Sequence, residues 1–200
     1  ADRIIISSPG VSASKMHQLR TLSRPEYQMQ TLDLNYPESE GLEAAIRRIC
    51  AEAADAVRAG ATLLNLSDRN IREGFLPANA MMVTGAVHHY LSAERLRTDA
   101  NIIVETGLAR DPHHFAVLIG FGASAVYPYL AYDVINELIA KGDLLGDPLY
   151  AQNNFRKGID KGLLKILSKM GISTVASYRA GQLFEAIGLS RAVVDLCFKG

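Results

Sequence analysis

NIIVETGLARDPHHFAVLIGFGASAVYPYLAYD, residues 101–133, decides the fold. Residues 101–106 are a short apolar run, rich in β-branched side chains and too brief for a helix, and they read as a buried strand. Asp111 stands where a helix N-cap belongs, with a short side chain that can accept from the free amides of a first turn. Pro112 suits that turn because its missing N–H would be unpaired there anyway. Residues 115–121 continue the helix, Gly122 ends it, 124–127 form a further apolar run, and Tyr129 opens another helix. These strands are continuously apolar rather than alternating. A strand apolar on both sides is covered on both faces, as in a parallel sheet with helical crossovers.

The same alternation recurs on either side. Residues 42–59 predict a helix with Ile46, Ile49, Ala53 and Val57 on one face, ended by Gly60. Residues 61–66 read as a buried strand, 67–70 as a polar loop and 78–97 as a mostly helical stretch with Pro77 near its start. Further on, 129–140 predict a helix ended by Gly142, 143–153 a loop, 154–170 a long amphipathic helix, 172–177 a strand and 181–187 a short helix. Residues 191–198 fit helix or strand. Toward the N-terminus, 31–35 predict a strand closed by Tyr36-Pro37, 14–22 a short helix and 4–6 a strand. The expectation is an α/β chain of parallel βα units.

Composition narrows the function classes. The 200 residues suffice for a single domain with a sizeable core, and 48% hydrophobic with 21% charged is ordinary for one. The 21 basic residues balance the 21 acidic ones, which argues against nucleic acid or an anionic membrane as a partner. No apolar run reaches the ~20 residues that span a bilayer. The start ADRIIISSPG lacks a signal peptide's basic and apolar segments. Cys50 and Cys197 form neither a CxxC pair nor a disulfide framework, so a reducing, cytoplasmic setting is expected. Asn65-Leu66-Ser67 matches a glycosylation acceptor but lies in an apolar strand, and is read as chance. The chain opens without Met and stops just after an apolar run, as a piece of a longer polypeptide would; a processed small protein would look the same.

Few residues carry recognisable chemistry. Gly120-Phe121-Gly122-Ala123-Ser124-Ala125 fits GxGxxA, but a dinucleotide fingerprint follows a strand and opens a helix, whereas these glycines close a helix and open a strand. Arg110, His113 and His114 surround the Asp111-Pro112 helix start, where free backbone N–H groups attract anions; they are the candidate anion or interdomain residues, against a plain capped helix. His88-His89 and His113-His114 are adjacent pairs that point about 100° apart on a helix, so no metal site is expected. Asp68 and Glu105 follow strands, with nothing in the sequence to bring them together. No cysteine has a nucleophile's neighbours and no GxSxG occurs, so no catalytic residue is assigned. Lys157, Lys161, Lys165 and Lys169 recur on one helix opposite an apolar face, either solvated or docked on an acidic surface. Tyr127-Pro128-Tyr129 with Tyr132 suits a domain interface or the edge of a core.

Several stretches resemble the central domain of the glutamate synthase large subunit: residues 99–135 (DANIIVETGLARDPHHFAVLIGFGASAVYPYLAYDVI), 63–71 (LLNLSDRNI), 154–189 (NFRKGIDKGLLKILSKMGISTVASYRAGQLFEAIGL) and 193–200 (VVDLCFKG). They run in family order from about Thr31 onward; residues 1–30 are an N-terminal segment that fits less closely. The resemblance implies a trimmed or incomplete (β/α) barrel-like domain occupying residues 1–200. It implies a parent that converts glutamine and 2-oxoglutarate to two glutamates, with ammonia passing through an internal tunnel. The amidotransferase and FMN-binding domains of the same polypeptide would be the partners, with FMN and a 3Fe–4S cluster in the parent and no cofactor in this chain. Electrons would come from ferredoxin or NADPH, and the setting would be a plastid in a photosynthetic eukaryote. Ala1 is not the family's nucleophilic cysteine, and the cluster's cysteine motif is absent. Residues 115–130 resemble a phosphate-gripping unit of FMN barrels, yet Pro128 removes an N–H donor where such a turn needs one. Residues 161–178 resemble the helix that closes such barrels. The expected role is a linking domain without an active site of its own; the alternative is an independent phosphate- or anion-binding α/β module.

Overall fold

The computed structural model describes residues 4–199. Its centre is a four-stranded parallel sheet in the order β1 (Met29–Asp33), β3 (Leu63–Ser67), β5 (Asn101–Glu105), β6 (Ala125–Tyr127). Spatial order follows chain order. The connections run through α2 (Leu42–Arg58), α3 (Ala80–Ala93) and α4 (Pro112–Gly120). Sequential parallel strands with crossovers of one hand put those helices on one face, the construction principle of a (β/α) barrel. The expected class, α/β with parallel βα units in an incomplete barrel-like domain, is the one observed.

Strand residues divide by alternation. Leu32, Leu64, Leu66, Ile102, Val104 and Val126 enter one apolar cluster with Ile46 and Ile49 of α2, Val83 and Val87 of α3, and Phe115 and Leu118 of α4. Their neighbours Leu63, Ile103, Ala125 and Tyr127 join a second cluster with Val11, Met16, Leu19 and Tyr132. In a closed barrel this inner face would meet the opposite wall of strands. Here α1 (Ala13–Arg20) and the segment before it fill that place. Val126 N donates to Pro9 O (2.8 Å) and Val11 N to Val126 O (2.8 Å), so Gly10 bridges the outer edge of β6.

Several expectations need correction. Residues 4–6 are not a strand; the pairing with the sheet falls after the Ser7–Pro9 turn. The expected strand 31–35 divides at Leu34. Asp33 Oδ1 accepts from Asn35 N (2.9 Å), and β2 (Asn35–Pro37) turns away to pair antiparallel with β4 (Phe75–Pro77). α3 begins at Ala80, capped by Asn79, and stops at Ala93, with Arg95 at φ 60 beyond it. After α5 (Tyr129–Lys141), α6 (Pro148–Lys169) starts six residues before the expected 154, because Asp147 caps it through Tyr150 N (2.8 Å). Residues 172–177 are not a strand: Pro9–Val11 already occupies the β6 edge, and Thr174 caps the single turn α7 (Val175–Tyr178). Residues 181–187 carry no helix; Ala180 and Gln182 sit at φ 55 and 54, which breaks helical entry. Residues 191–198 resolve as α8 (Arg191–Cys197), capped by Ser190.

Candidate functional site: the mouth of the sheet

In parallel α/β sheets, ligands and reactive groups gather at the carboxyl ends of the strands. Here each of the first three strands in the sheet ends in, or just before, an acid. At the end of β1, Asp33 accepts from Asn35 Nδ2 (2.7 Å), Arg72 Nη1 (2.8 Å) and Asn70 Nδ2 (3.1 Å). Burial works to raise its pKa, but these hydrogen bonds outweigh it and the carboxyl lies below its ordinary value. Just past β3, buried Asp68 accepts from Thr106 Oγ1 (2.5 Å) and Gly107 N (3.1 Å).

Glu105, the last residue of β5, is only 1% exposed on the inner face. Its Oε2 accepts from Arg20 Nη2 (2.5 Å) and Asn65 Nδ2 (3.1 Å), and Arg69 Nη1 stands 3.6 Å from Oε1. Burial again pushes the pKa upward, and the bonds from Asn65, Arg20 and Ser67 prevail to lower it. Arg69 also lies over the Tyr129 ring, 4.8 Å from its centre, and reaches Asp133 at 3.5 Å. Burial, followed by the nearby Asp68 charge, raises the Tyr129 hydroxyl above its ordinary pKa, so it stays protonated. Each acid is thus engaged by donors within the chain. None is left as a free base or nucleophile, and among the described residues no three His, Cys, Asp or Glu converge as a metal site.

Beside these groups opens a cleft of about 280 Å³, with Asp68, Gly107 and Tyr129 at its base and Ile71, Leu108 and Leu130 among its walls. Those three apolar side chains are 69%, 37% and 45% exposed. The mouth is polar at depth and apolar at the rim.

The residues singled out from sequence have local partners. Asp111 caps α4 through His114 N (3.0 Å), as its position predicts. Arg110 N donates to His114 Nδ1 (3.3 Å), and the His113 ring meets Phe184 edge-on at 6.2 Å. None of Arg110, His113 and His114 lines the mouth cleft. α6 crosses the start of α4 so closely that a Cβ on Gly162 would overlap the Pro112 ring. Gly122 makes the expected tight turn at φ +120, and any side chain there would meet the His88 ring. The four lysines of α6 are exposed, while Ile159, Leu163 and Leu167 are buried. Tyr127, Tyr129 and Tyr132 are buried in the inner cluster, so the core-edge account fits them. Sequence reasoning missed Arg20, Asp33, Asn65, Arg69 and Arg72. The available signal was positional: Asp33, Ser67-Asp68 and Glu105-Thr106 close successive βα units.

A partial barrel of sequential parallel βα units, polar at its strand ends, places the chain among α/β domains built on the barrel plan. Residues 1–190 match the family described as "Glutamate synthase central domain", and the chain belongs to that family. It is 41% identical over 198 residues to the glutamate synthase [NADPH] large chain of Bacillus subtilis (strain 168), covering 99% of this chain and 13% of that one. To the corresponding large chain of Azospirillum brasilense it is 47% identical over 167 residues, 82% of this chain and 11% of the relative. The ferredoxin-dependent glutamate synthase of Antithamnion sp. is 36% identical over 215 residues, 100% of this chain and 14% of the relative. The chain therefore spans about an eighth of the relatives it matches. Among solved structures, a flavocytochrome b2 variant with sulfite bound superposes over 96% of this chain and 45% of its own, with TM-score 0.53 at 12% identity, a likeness of fold alone.

Proposed function

We propose that this chain is the linking domain of a glutamate synthase large chain. It sets the amidotransferase and FMN-binding domains of the same polypeptide in place and supplies part of the wall along which ammonia passes between them. In this reading the parent converts glutamine and 2-oxoglutarate to two glutamates, an oxidoreductase reaction whose FMN and 3Fe–4S cluster lie outside these residues. The observation that carries the reading is the state of the mouth. Asp33, Asp68 and Glu105 are engaged within the chain, while Ile71, Leu108 and Leu130 form a bare apolar rim. Bound-up acids beneath an apolar rim suit packing against another domain better than bond making.

The residues present do not fit the cofactors. The turn after β6 holds Pro128, which has no N–H for a phosphate, between buried Tyr127 and Tyr129. Cys50 and Cys197 are buried, and burial pushes their thiols up to about 12 and about 11, the opposite of a thiolate ligand's need.

The test is coupling in the full-length large chain. Leu108→Asp with Leu130→Asp charges the rim without touching the acids beneath. Glutamine hydrolysis should persist while glutamate formed per glutamine consumed falls from two toward one, as ammonia escapes. A ratio that stays at two would overturn the role.

A further inference from the structure

The two edges of the sheet are treated differently. β6 is capped by Pro9–Val11, whose backbone closes the ladder from outside. β1 has β3 on one side and no strand on the other among the described residues. Leu63 N donates to Gln28 O and Leu34 N to Ser67 O. By the alternation of a parallel ladder, Gln28, Gln30, Leu32 and Leu34 turn their backbone groups toward β3, and Met29, Thr31 and Asp33 turn theirs outward. Of those outward groups, the Thr31 carbonyl meets the Gln30 side-chain amide at 3.3 Å.

Along this edge runs a groove of about 690 Å³, between β1 over its whole length and α2. Its floor includes Leu32, Ala56 and Ala61. Charges on the α2 wall are already matched: Arg48 binds Glu40 (2.7 Å) and Glu52 (2.9 Å), and Asp55 faces Arg58 at 3.2 Å. The groove thus holds no unpartnered charge on its α2 wall, with a row of backbone donors and acceptors on the other side. β1 reads MQTLD, with no proline, no lysine and no bulge, the devices by which an exposed edge protects itself from pairing.

We propose that the β1 edge is paired by an extended strand from the remainder of the glutamate synthase large chain, whose groove-facing side chains are small or apolar. The relatives supply the length: this chain is 10–14% of theirs, so most of the polypeptide is available to provide the segment. The inference rests on the family placement and on the sheet, and is independent of the ammonia route proposed above.

Two measurements on the full-length large chain test it. A photo-crosslinking residue at Asp55 or Glu52, both well exposed on the groove wall (77% and 44%), should capture a peptide of the same polypeptide outside residues 1–200. Capture of a second large chain would assign the edge to a dimer and overturn the proposal, as would no product beyond residues 1–200. Hydrogen exchange read residue by residue should show the outward amides of Met29, Thr31 and Asp33 slowed at least about 100-fold, like those of Gln30 and Leu32. Rapid exchange at the three outward positions alone would show an open edge and overturn it.

Discussion

On the helix-covered face of the sheet, Leu64, Leu66, Ile102, Val104 and Val126 are completely buried in one apolar cluster. On the inner face, one residue along the same strands, Asn65, Ser67, Glu105 and Tyr127 carry polar atoms into the interior. The helical side fails mainly by leaving a void, since it holds mostly hydrocarbon. The inner side fails by leaving charge unpaired: Glu105 Oε1 and Asn65 Oδ1 already lack a hydrogen-bond partner, and the cluster is held by Arg20 from α1. The first face stores stability in area. The second fixes where the N-terminal segment must lie, because Arg20 reaches Glu105 only when α1 crosses the sheet as it does.

Variants can break this contrast in descending order of effect. Phe115→Ala removes a side chain 1% exposed on the helical side and should cost about 3–5 kcal/mol in urea unfolding. A loss below about 1 kcal/mol would mean that this layer collapses around the void and that area is not its currency. Arg20→Ala leaves Glu105 buried with Asn65 and the more distant Arg69, and should cost about 1–3 kcal/mol. Combining it with Glu105→Gln should recover part of that loss; simple addition of the two losses would show the pair uncoupled.

Acid separates the faces by pH window. His88, on α3, is held down to about 4 by burial and then by Arg97, whose Nε donates to its Nδ1 at 2.9 Å. The unfolded chain protonates this histidine near its ordinary value of about 6.5. Its contribution to stability is therefore lost between about 6.5 and about 4, as the unfolded state gains the proton first. Glu105 and Asp33 have folded pKa values below the ordinary carboxyl range, so their contribution is present above that range and lost as pH falls through the depressed values. His88→Gln should flatten the upper limb of an acid titration of stability, and Glu105→Gln part of the lower one. Identical effects of the two on both limbs would erase the distinction. The smallest effect belongs to neither face: Lys161→Ala and Lys165→Ala, exposed on α6, should change stability by less than about 0.5 kcal/mol.

The helical face was legible in sequence because its signal is local. Continuous apolar runs at 101–106 and 124–127, the Asp111 cap and the Gly122 stop each declare themselves within a few residues. The inner face was not, because its partners are joined only by folding. Arg20 and Glu105 are separated by two βα units and the strand β5, and neither residue type in isolation announces a pair. The run 172–177 shows the limit most plainly. ISTVAS has the composition of a strand, but strand formation needs a free ladder, and Pro9–Val11 had taken it. Composition reports what a segment is able to do; occupancy of the neighbouring edge decides what it does.

That occupancy has a consequence for synthesis. The ribosome makes Pro9–Val11 before any strand of the sheet, yet their partner Val126 belongs to the last strand added. The βα units can close one upon another as they emerge, each through a short loop. The edge-capping segment must wait, tethered, until β6 is in place, and its docking closes a far longer loop than any βα crossover of the sheet. Docking of this segment should therefore follow assembly of the four-stranded sheet. In kinetic terms, substitutions at Val11 would speed unfolding and leave the folding rate nearly unchanged, with φ close to zero.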